Sequence, residues 1–404
     1  MSIARHFESP TTTVVRTFGE PWPEFNDGLI YRDILKPSDS GLTLIDFYSR
    51  KHANSAPLQG WSQRIRNGQI SIDGTVVTDA NALLRTGSEL IYHRLPWKEP
   101  DAPYLLEVLF EDDDLIVLNK PSGLQVLPGG LFQQRTVLTQ LQWQASKQSS
   151  SLTCQEPHPV PVHRLGRGTS GILLCAKTKL AKACLSAYFA DGTSVVSDSC
   201  NNNVASGRTR KLSKIYRALV SGILSQDEIV IKHPIGMVQY PQVAKGLYVA
   251  SPSGKPALSK VKVLERNVQR NCMLVEVEIQ SGRPHQIRIH LSFIGHPLIA
   301  GDPLYVTGGQ PKCFDPDVGG ESFAEDGFGG SHLVSLEDIL PCGYQRPVKP
   351  VPGDCGYYLH AHQLVLSHPT RHEMIKITAP LPSVLRTQEE TNKIEVGDAE
   401  FQIT

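Results

Sequence analysis

His163-Arg164-Leu165-Gly166-Arg167-Gly168-Thr169-Ser170-Gly171-Ile172-Leu173-Leu174-Cys175-Ala176-Lys177 joins a charged, glycine-loosened loop to a short apolar run, and the order of those two parts decides the reading of the fold. Gly166, Gly168 and Gly171 permit backbone angles closed to other residues, so the loop bends sharply and turns Arg164 and Arg167 outward. Ile172 to Ala176 read as a buried strand. Beyond them Leu180, Cys184, Ala187 and Tyr188 recur at helical spacing, which predicts a helix packed on that strand. The sequence of elements is loop, strand, helix.

That order separates two chemistries. Gly166-Arg-Gly168-Thr-Ser-Gly171 satisfies the spelling of a dinucleotide fingerprint, with Asp191 beyond it. The fingerprint binds a pyrophosphate only where its glycines leave a strand and open a helix, whose N-terminus then holds the charge. Here they precede a strand, so no nicotinamide or flavin cofactor is expected. A loop of this kind instead presents its side chains for function.

Working outward, Val108 to Gly123 reads as strand, acidic turn at Asp112-Asp113-Asp114, strand, and a Lys120-Pro121-Ser122-Gly123 loop. Leu95 to Pro103, with Pro96, Pro100 and Pro103, reads as a stiff linker before it. Phe189 to Arg210 is rich in Ser, Asn and Gly and predicts a surface loop. Lys211 to Gly222 alternates outward Lys214, Tyr216 or Arg217 with buried Leu219 and Val220, and Met273 to Gln280 alternates as a strand would. Gly282 and Pro284 open a helix with Ile287, Leu291 and Ile294 inside and His285, Arg288 and Ser292 on another face; Gly295 and Pro297 stop it. The chain recovers from Tyr358 to Pro382, where His360 and His362, a lone i, i+2 pair on a strand, read as structural.

Residues 1–40 lack periodicity and predict an extended lead-in. From Leu42 to His93 two short helices, around Leu44, Phe47 and Tyr48 and around Trp61 to Asn67, precede strands at Ile70 and Ile72 and at Val76-Val77, turned by Asp73-Gly74, and a last strand at Leu90-Ile91-Tyr92.

Four stretches together carry a resemblance. His163-Arg-Leu-x-x-x-Thr169-Ser-Gly171, Lys214-x-Tyr216-x-Ala218-x-Val220-x-Gly222, Gly282-Arg-Pro-His-Gln-Ile-Arg288-Ile-His-Leu291, and Gly301-Asp302-Pro-Leu-Tyr305 are similar to the motifs of RluA-type RNA pseudouridine synthases. Residues 41–95 resemble the small RNA-binding module of ribosomal-protein-S-four type that often precedes that domain. The resemblance implies an α+β fold, a mixed, largely antiparallel sheet with flanking helices over residues 104–385, preceded by the small α/β module and followed by a tail from 386. It implies isomerisation of specific uridines in transfer or ribosomal RNA, with no metal or nucleotide cofactor. Tyr216 falls where the family holds the target uracil, and Arg288 where its active-site arginine pairs with the catalytic carboxylate. Arg164, Arg167, Lys214, Arg283 and His285, with Arg64, Arg66, Arg50 and Lys51 of the module, would meet RNA. The family's catalytic aspartate falls on Gly166, which has no side chain. A carboxylate from elsewhere, Asp302 or Asp191, then serves the site, or the chain is a non-catalytic RNA-binding paralogue, or its mechanism departs from the family's.

Composition fits this reading without compelling it. The chain has 404 residues, 40 basic and 40 acidic, with zero formal net charge. Charge is nonetheless segregated: Arg164, Arg167, Lys177, Lys179, Lys182, Arg208, Arg210, Lys211, Lys214 and Arg217 crowd the centre, whereas residues 306–353 form an acidic, glycine-rich insertion. A neutral chain can thus present a phosphate-binding face. The eight cysteines are scattered without a C-x-x-C pair, which argues against structural zinc and a disulfide framework and fits a reducing, intracellular compartment. No run is long and apolar enough to span a membrane, and a monomer is expected.

Overall fold

The computed structural model describes residues 16–53, 55–148, 158–200, 212–240, 243–299, 305–306, 308–311, 356–371 and 373–401. In chain order, the first elements are strands β1 (Thr17–Phe18) and β2 (Leu29–Ile34), helices α1 (Leu44–Lys51) and α2 (Leu58–Arg66), and strands β3 (Ile70–Ile72), β4 (Thr75–Val76) and β5 (Glu89–Arg94). Then come β6 (Leu106–Glu111), β7 (Leu115–Lys120), α3 (Val137–Gln148), β8 (Val160–Pro161), β9 (Ser170–Ala176) and α4 (Lys179–Cys200). They are followed by β10 (Leu212–Ser221), β11 (Glu228–Ile231), β12 (Ile235–Tyr240), β13 (Val243–Ala250), β14 (Ser259–Asn267), β15 (Cys272–Ile279) and α5 (Gln286–Phe293). The last are β16 (Tyr305–Val306), β17 (Gln310–Pro311), β18 (Leu359–Ser367), β19 (Met374–Thr378) and α6 (Gln388–Phe401).

The fold is α+β. A four-stranded antiparallel sheet, β2-β5-β3-β4, and helices α1 and α2 make the small unit. Asp73 and Gly74 both stand at positive φ, 49° and 82°, as the tight β3–β4 turn requires. The side chain of Thr43 caps α1 by accepting from the Asp46 amide. Leu44, Phe47, Tyr48, Trp61, Ile65, Ile70, Leu90 and Tyr92 form its own core, with Tyr48 stacked on Trp61 at 4.4 Å between centroids.

The large sheet runs β1-β6-β7-β9-β18-β10-β15-β14-β11, with β19 on β18 and β8 on β9. Its named pairings are antiparallel except β9 with β18, which is parallel and falls in the middle. That junction admits the Thr169-Ser170-Gly171 corner into the sheet centre. The Cβ of any other residue at position 171 would lie 2.3 Å from the Ala361 carbonyl oxygen, and the φ there is +100°. Only glycine fits both demands.

Within the lead-in, β1 edges the large sheet beside β6, while β2 belongs to the small one, and the tail carries α6. Three expectations are corrected. The Ser- and Asn-rich stretch after Phe189 continues α4 to Cys200, its composition overridden by the helix already propagating from Lys179. The buried face of α4 is Ala181, Leu185 and Tyr188, one residue round from the one expected, and Leu180 is exposed. On β10, Tyr216 and Arg217 are both buried, because strands cover β10 on either side and structure covers both faces. Most of the acidic insertion expected over 306–353 lies outside the described residues.

Chain entry to and exit from the small unit run side by side. The Asn26 amide donates to the Trp97 carbonyl at 3.1 Å, and the Trp97 amide returns to Asn26 Oδ1 at 3.1 Å. At Gly28 (φ 71°) a Cβ would meet the Arg94 carbonyl oxygen at 2.4 Å, so the two strands of this stalk touch through backbone.

Candidate active site

The register of the large sheet assembles the site. Gly171 on β9, Ala361 on β18, Tyr216 on β10 and Val277 on β15 lie in one lateral row. Alternation puts Thr169 on the same face as Tyr216, and Ser170, His360 and Arg217 on the other. Ser170 Oγ shares a hydrogen bond of 2.9 Å with His360 Nδ1, and His362 Nδ1 approaches the Ala379 carbonyl at 2.9 Å. Both histidines thus serve the back of the sheet.

On the front, the central loop is lashed to its neighbours by backbone. Gly166 carries its carbonyl to the Thr169 amide at 3.1 Å, closing the turn. Lys120, fully buried, spends its ammonium on the carbonyls of Pro121, Leu124 and Arg167 at 2.8, 2.8 and 3.1 Å. Ser122 Oγ donates to the Gly168 carbonyl at 2.7 Å, and the Gly123 amide to that of Arg167 at 2.8 Å. The Lys120-Pro121-Ser122-Gly123 loop therefore holds the shape of the 166–168 turn. The glycines lead into β9 and not into a helix, so the dinucleotide reading has no geometric basis here. The positive φ of the described stretch is at Gly171, not at Gly166.

One continuous chain of contacts links this turn to α5. Thr169 Oγ1 and the Tyr357 hydroxyl are 3.3 Å apart. The Arg288 guanidinium sits 4.3 Å from the centroid of the Tyr357 ring and 5.3 Å from that of Tyr305. Tyr305 in turn shares a 2.7 Å hydrogen bond with His285 Nδ1. Arg288 is 2 % exposed, an almost fully desolvated cation against two aromatic faces. His285 is the N-cap residue of α5, in the left-handed conformation at φ 54°, and its ring meets Tyr305. The helix begins at Gln286, two residues after Pro284, because this corner must be turned first.

Tyr216 is 8 % exposed, and burial pushes its phenol up to about 12, so the hydroxyl stays protonated at working pH. Beside it in sequence, Lys214 Nζ lies 5.2 Å from the Phe189 ring centroid, and Phe189 stacks on His163 at 5.0 Å. His163 Nε2 accepts from the Leu174 amide at 3.0 Å; burial first, and nearby Lys214 second, pull its pKa down to about 3. The first residue of the motif is thus a neutral strut.

The other expected residues divide. Arg164 is exposed. Arg167 is half-buried, its guanidinium 4.9 Å from the Phe132 ring centroid. Arg283 is also half-buried and donates Nε to the Pro256 carbonyl at 3.0 Å; desolvation lowers its pKa. In the small unit Arg66 and Arg50 are exposed, and Lys51 pairs with Asp33 at 3.0 Å. Arg64 does not face outward. It is 4 % exposed, with its guanidinium 4.7 Å from Trp61 and 5.3 Å from Tyr92, and closes the small core. Asp302 lies outside the described residues, and of Asp191 only the backbone, on α4, is described. No group of three or more His, Cys, Asp or Glu among the described residues could hold a metal. Sequence reading passed over Tyr357, which stands alone beyond the acidic insertion with no periodic signal around it.

The model for RNA pseudouridylate synthase matches residues 114–293, which span the central loop, β10 and α5. RNA pseudouridine synthase 5 of Arabidopsis thaliana is 65 % identical over 378 residues, 92 % of this chain and 98 % of that protein. The chain belongs to the RNA pseudouridine synthase family. Its isomerase reading stands with that membership. RNA pseudouridine synthase 5 of Oryza sativa subsp. japonica is 59 % identical across 95 % of this chain and 94 % of its own length. Ribosomal large subunit pseudouridine synthase D of Pseudomonas aeruginosa is 30 % identical across 82 % of this chain and 85 % of its own. Among the described residues, no helix of this synthase is long and apolar enough to cross a membrane.

Proposed function

We propose that this synthase converts specific uridines of transfer or ribosomal RNA to pseudouridine at the corner where Thr169, Tyr357, Arg288 and Tyr305 meet. The observation that carries the reading is the buried Arg288 guanidinium, joined through Tyr357 and Thr169 to the turn at Gly166. The similarity to a protein named for the large ribosomal subunit supports an RNA of that kind. The small unit, with two helices before a hairpin and a last strand, supports its reading as a module of ribosomal-protein-S-four type.

In this reading the target nucleotide leaves its stack, and Tyr216 holds the base by its ring. The bond from uracil nitrogen to ribose breaks, the base turns, and a bond from carbon forms, that carbon giving up its proton and the freed nitrogen gaining one. Arg288 keeps a carboxylate ionised beside the sugar. Gly166 supplies none, so a carboxylate from elsewhere in the sequence, Asp302 or Asp191, serves in its place. Arg164, Arg167, Lys214, Arg283 and His285 approach phosphates and ribose around that point, and Arg66 meets RNA on the small unit; Arg64 serves the module's core instead.

The experiment is incubation of the purified protein with unmodified transfer RNA and ribosomal RNA, followed by mapping of pseudouridine at single-nucleotide resolution. Modification at discrete sites, lost in Arg288→Ala, supports the proposal. Absence of any modification in RNA that the protein binds would leave a non-catalytic RNA binder.

A further inference from the structure

We propose that the stalk between the small unit and the large sheet is itself part of the RNA-binding surface: a phosphate track made of Arg94 on Trp97 and Arg167 on Phe132, held in line by the buried carboxylate of Glu99. The proposal rests on the reading of the protein as an RNA-modifying enzyme and extends it to the route by which RNA reaches both units at once.

The two cations are built alike. Arg94, the last residue of β5, stands with its guanidinium 3.6 Å from the Trp97 ring centroid. Arg167, next to position 166, stands 4.9 Å from the Phe132 ring centroid. Both rings are about nine-tenths buried and both arginines are half-buried. A guanidinium laid flat on a fixed ring loses little freedom on meeting a phosphate. The rings are themselves spliced: Trp97 Nε1 donates to the Leu131 carbonyl at 3.1 Å, and Phe132 is the next residue. The order from module to catalytic turn is therefore Arg94, Trp97, Leu131-Phe132, Arg167.

Glu99 sets that order. It is 2 % exposed, and its two oxygens receive four donors: Asn26 Nδ2 at 2.7 Å and the backbone amides of Gln133, Gln134 and Arg135 at 2.8, 2.9 and 2.9 Å. One carboxylate thus ties the entering strand at Asn26, the leaving strand it sits on, and the loop that carries Phe132. A buried carboxylate is costly unless fully satisfied, and this one is satisfied only while the three segments keep their places. Acids beside the track are engaged: Asp101 pairs with Arg135 at 3.0 Å, and Asp27 accepts from the Gln134 side-chain amide at 3.2 Å. Exposed Lys98 adds a further positive charge between Trp97 and Glu99.

The test is equilibrium binding of a labelled, unmodified transfer RNA transcript across a salt series, with a thermal melt of every variant. Arg94→Gln and Arg167→Gln are each expected to weaken binding several-fold and to reduce the log–log salt slope by about one, as loss of a phosphate contact does. Glu99→Gln gives a sign that separates placement from charge. Removal of a negative charge alone would tighten binding of RNA, whereas a misaligned track weakens it, and about 3- to 30-fold weakening is expected. If Glu99→Gln melts below the assay temperature, Glu99→Asp, which keeps the charge but shortens the reach, is expected to weaken binding likewise. Arg94→Gln with unchanged affinity and slope would overturn the track while the RNA reading stands, as would tighter binding by Glu99→Gln. An unsubstituted protein with no salt-dependent binding would bring down both.

Discussion

Burial pushes the Tyr216 phenol up to about 12, so in the proposed site it offers a ring and an O–H donor and no proton acceptor of anionic kind. Tyr216→Phe is accordingly expected to keep most of its turnover and Tyr216→Ala to lose about 10- to 100-fold, the scale of one base–aromatic stack, in single-turnover assays with saturating RNA. Position 166 gives a sharper result. Asp302→Asn is expected to cost on the order of 10⁴-fold or more in rate, as loss of a single reactive group does. Gly166→Asp in that background is expected to restore part of it, because the turn at 166 closes at ordinary φ and points its backbone toward Thr169 and the Arg288 corner. Unchanged turnover in Asp302→Asn, with RNA binding intact, would remove Asp302 from the site. The residues of this corner were legible in the sequence where a motif named them, as with Tyr216, Arg288 and Tyr305. They were not where burial decided the role. Arg64 and Arg66 read alike as surface cations, yet two helix positions separate a guanidinium sealed between Trp61 and Tyr92 from one in solvent.

Among the elements, the β9–β18 junction is the least forgiving. Gly171→Ala would place a methyl group 2.3 Å from one Ala361 backbone atom and 2.7 Å from another while holding a positive φ, and more than about 3 kcal/mol of destabilisation is expected from denaturant titration. At the other end of the chain, Glu390 binds α6 to the back of the sheet. Its carboxylate accepts from Arg217 Nη2 at 2.9 Å and from the Thr387 amide at 2.8 Å, while Thr387 Oγ1 accepts from the Glu390 amide at 3.1 Å. This is a reciprocal cap shared with an ion pair. Glu390→Ala is expected to cost about 1 to 2 kcal/mol and to speed amide exchange throughout α6 ahead of the sheet. The strands β6, β7, β10 and β15 could be placed from the sequence, although the alternation read on β10 does not hold as a burial pattern, since Tyr216 and Arg217 are both buried. The length of α4 could not, since Ser and Gly mark a loop by composition while a helix anchored by Ala181, Leu185 and Tyr188 carries them along.

For the molecule as a whole, two buried histidines, His290 and His360, and the half-buried His163 contribute to the response to acid. Burial lowers His163 to about 3 and His290 and His360 to about 4. Their hydrogen bonds suit the neutral ring: His290 lies 2.9 Å from both Ser259 Oγ and the His233 carbonyl. Each would take up a proton on unfolding below its ordinary value of about 6.5. The unfolded chain then binds more protons, so stability is complete above pH ~6.5 and falls as pH drops toward about 4, by at most about 1.4 kcal/mol per pH unit for each histidine. Urea midpoints measured from pH 7.5 to 4 check this, and His163→Gln is expected to flatten the slope.

The paired crossing at Asn26 and Trp97 has a topological consequence. Among the described residues the chain pairs with the large sheet at β1, leaves to build the small unit, and returns at β6, so the small unit is inserted between two strands of the catalytic fold. Two touching strands resist torsion as a single linker cannot, so the insert holds its orientation instead of swivelling. Its two ends also meet. Joining residue 26 to residue 97 through a few glycines excises the insert and leaves every strand of the large sheet in place. That chain is expected to melt close to the full-length protein and to elute as a single compact species, whereas simple deletion of residues 1–95 strips β1 from the edge of β6 and is expected to aggregate. A cassette that closes on itself in this way is one that a lineage of such enzymes can gain, exchange or discard without ever cutting the sheet that does the chemistry.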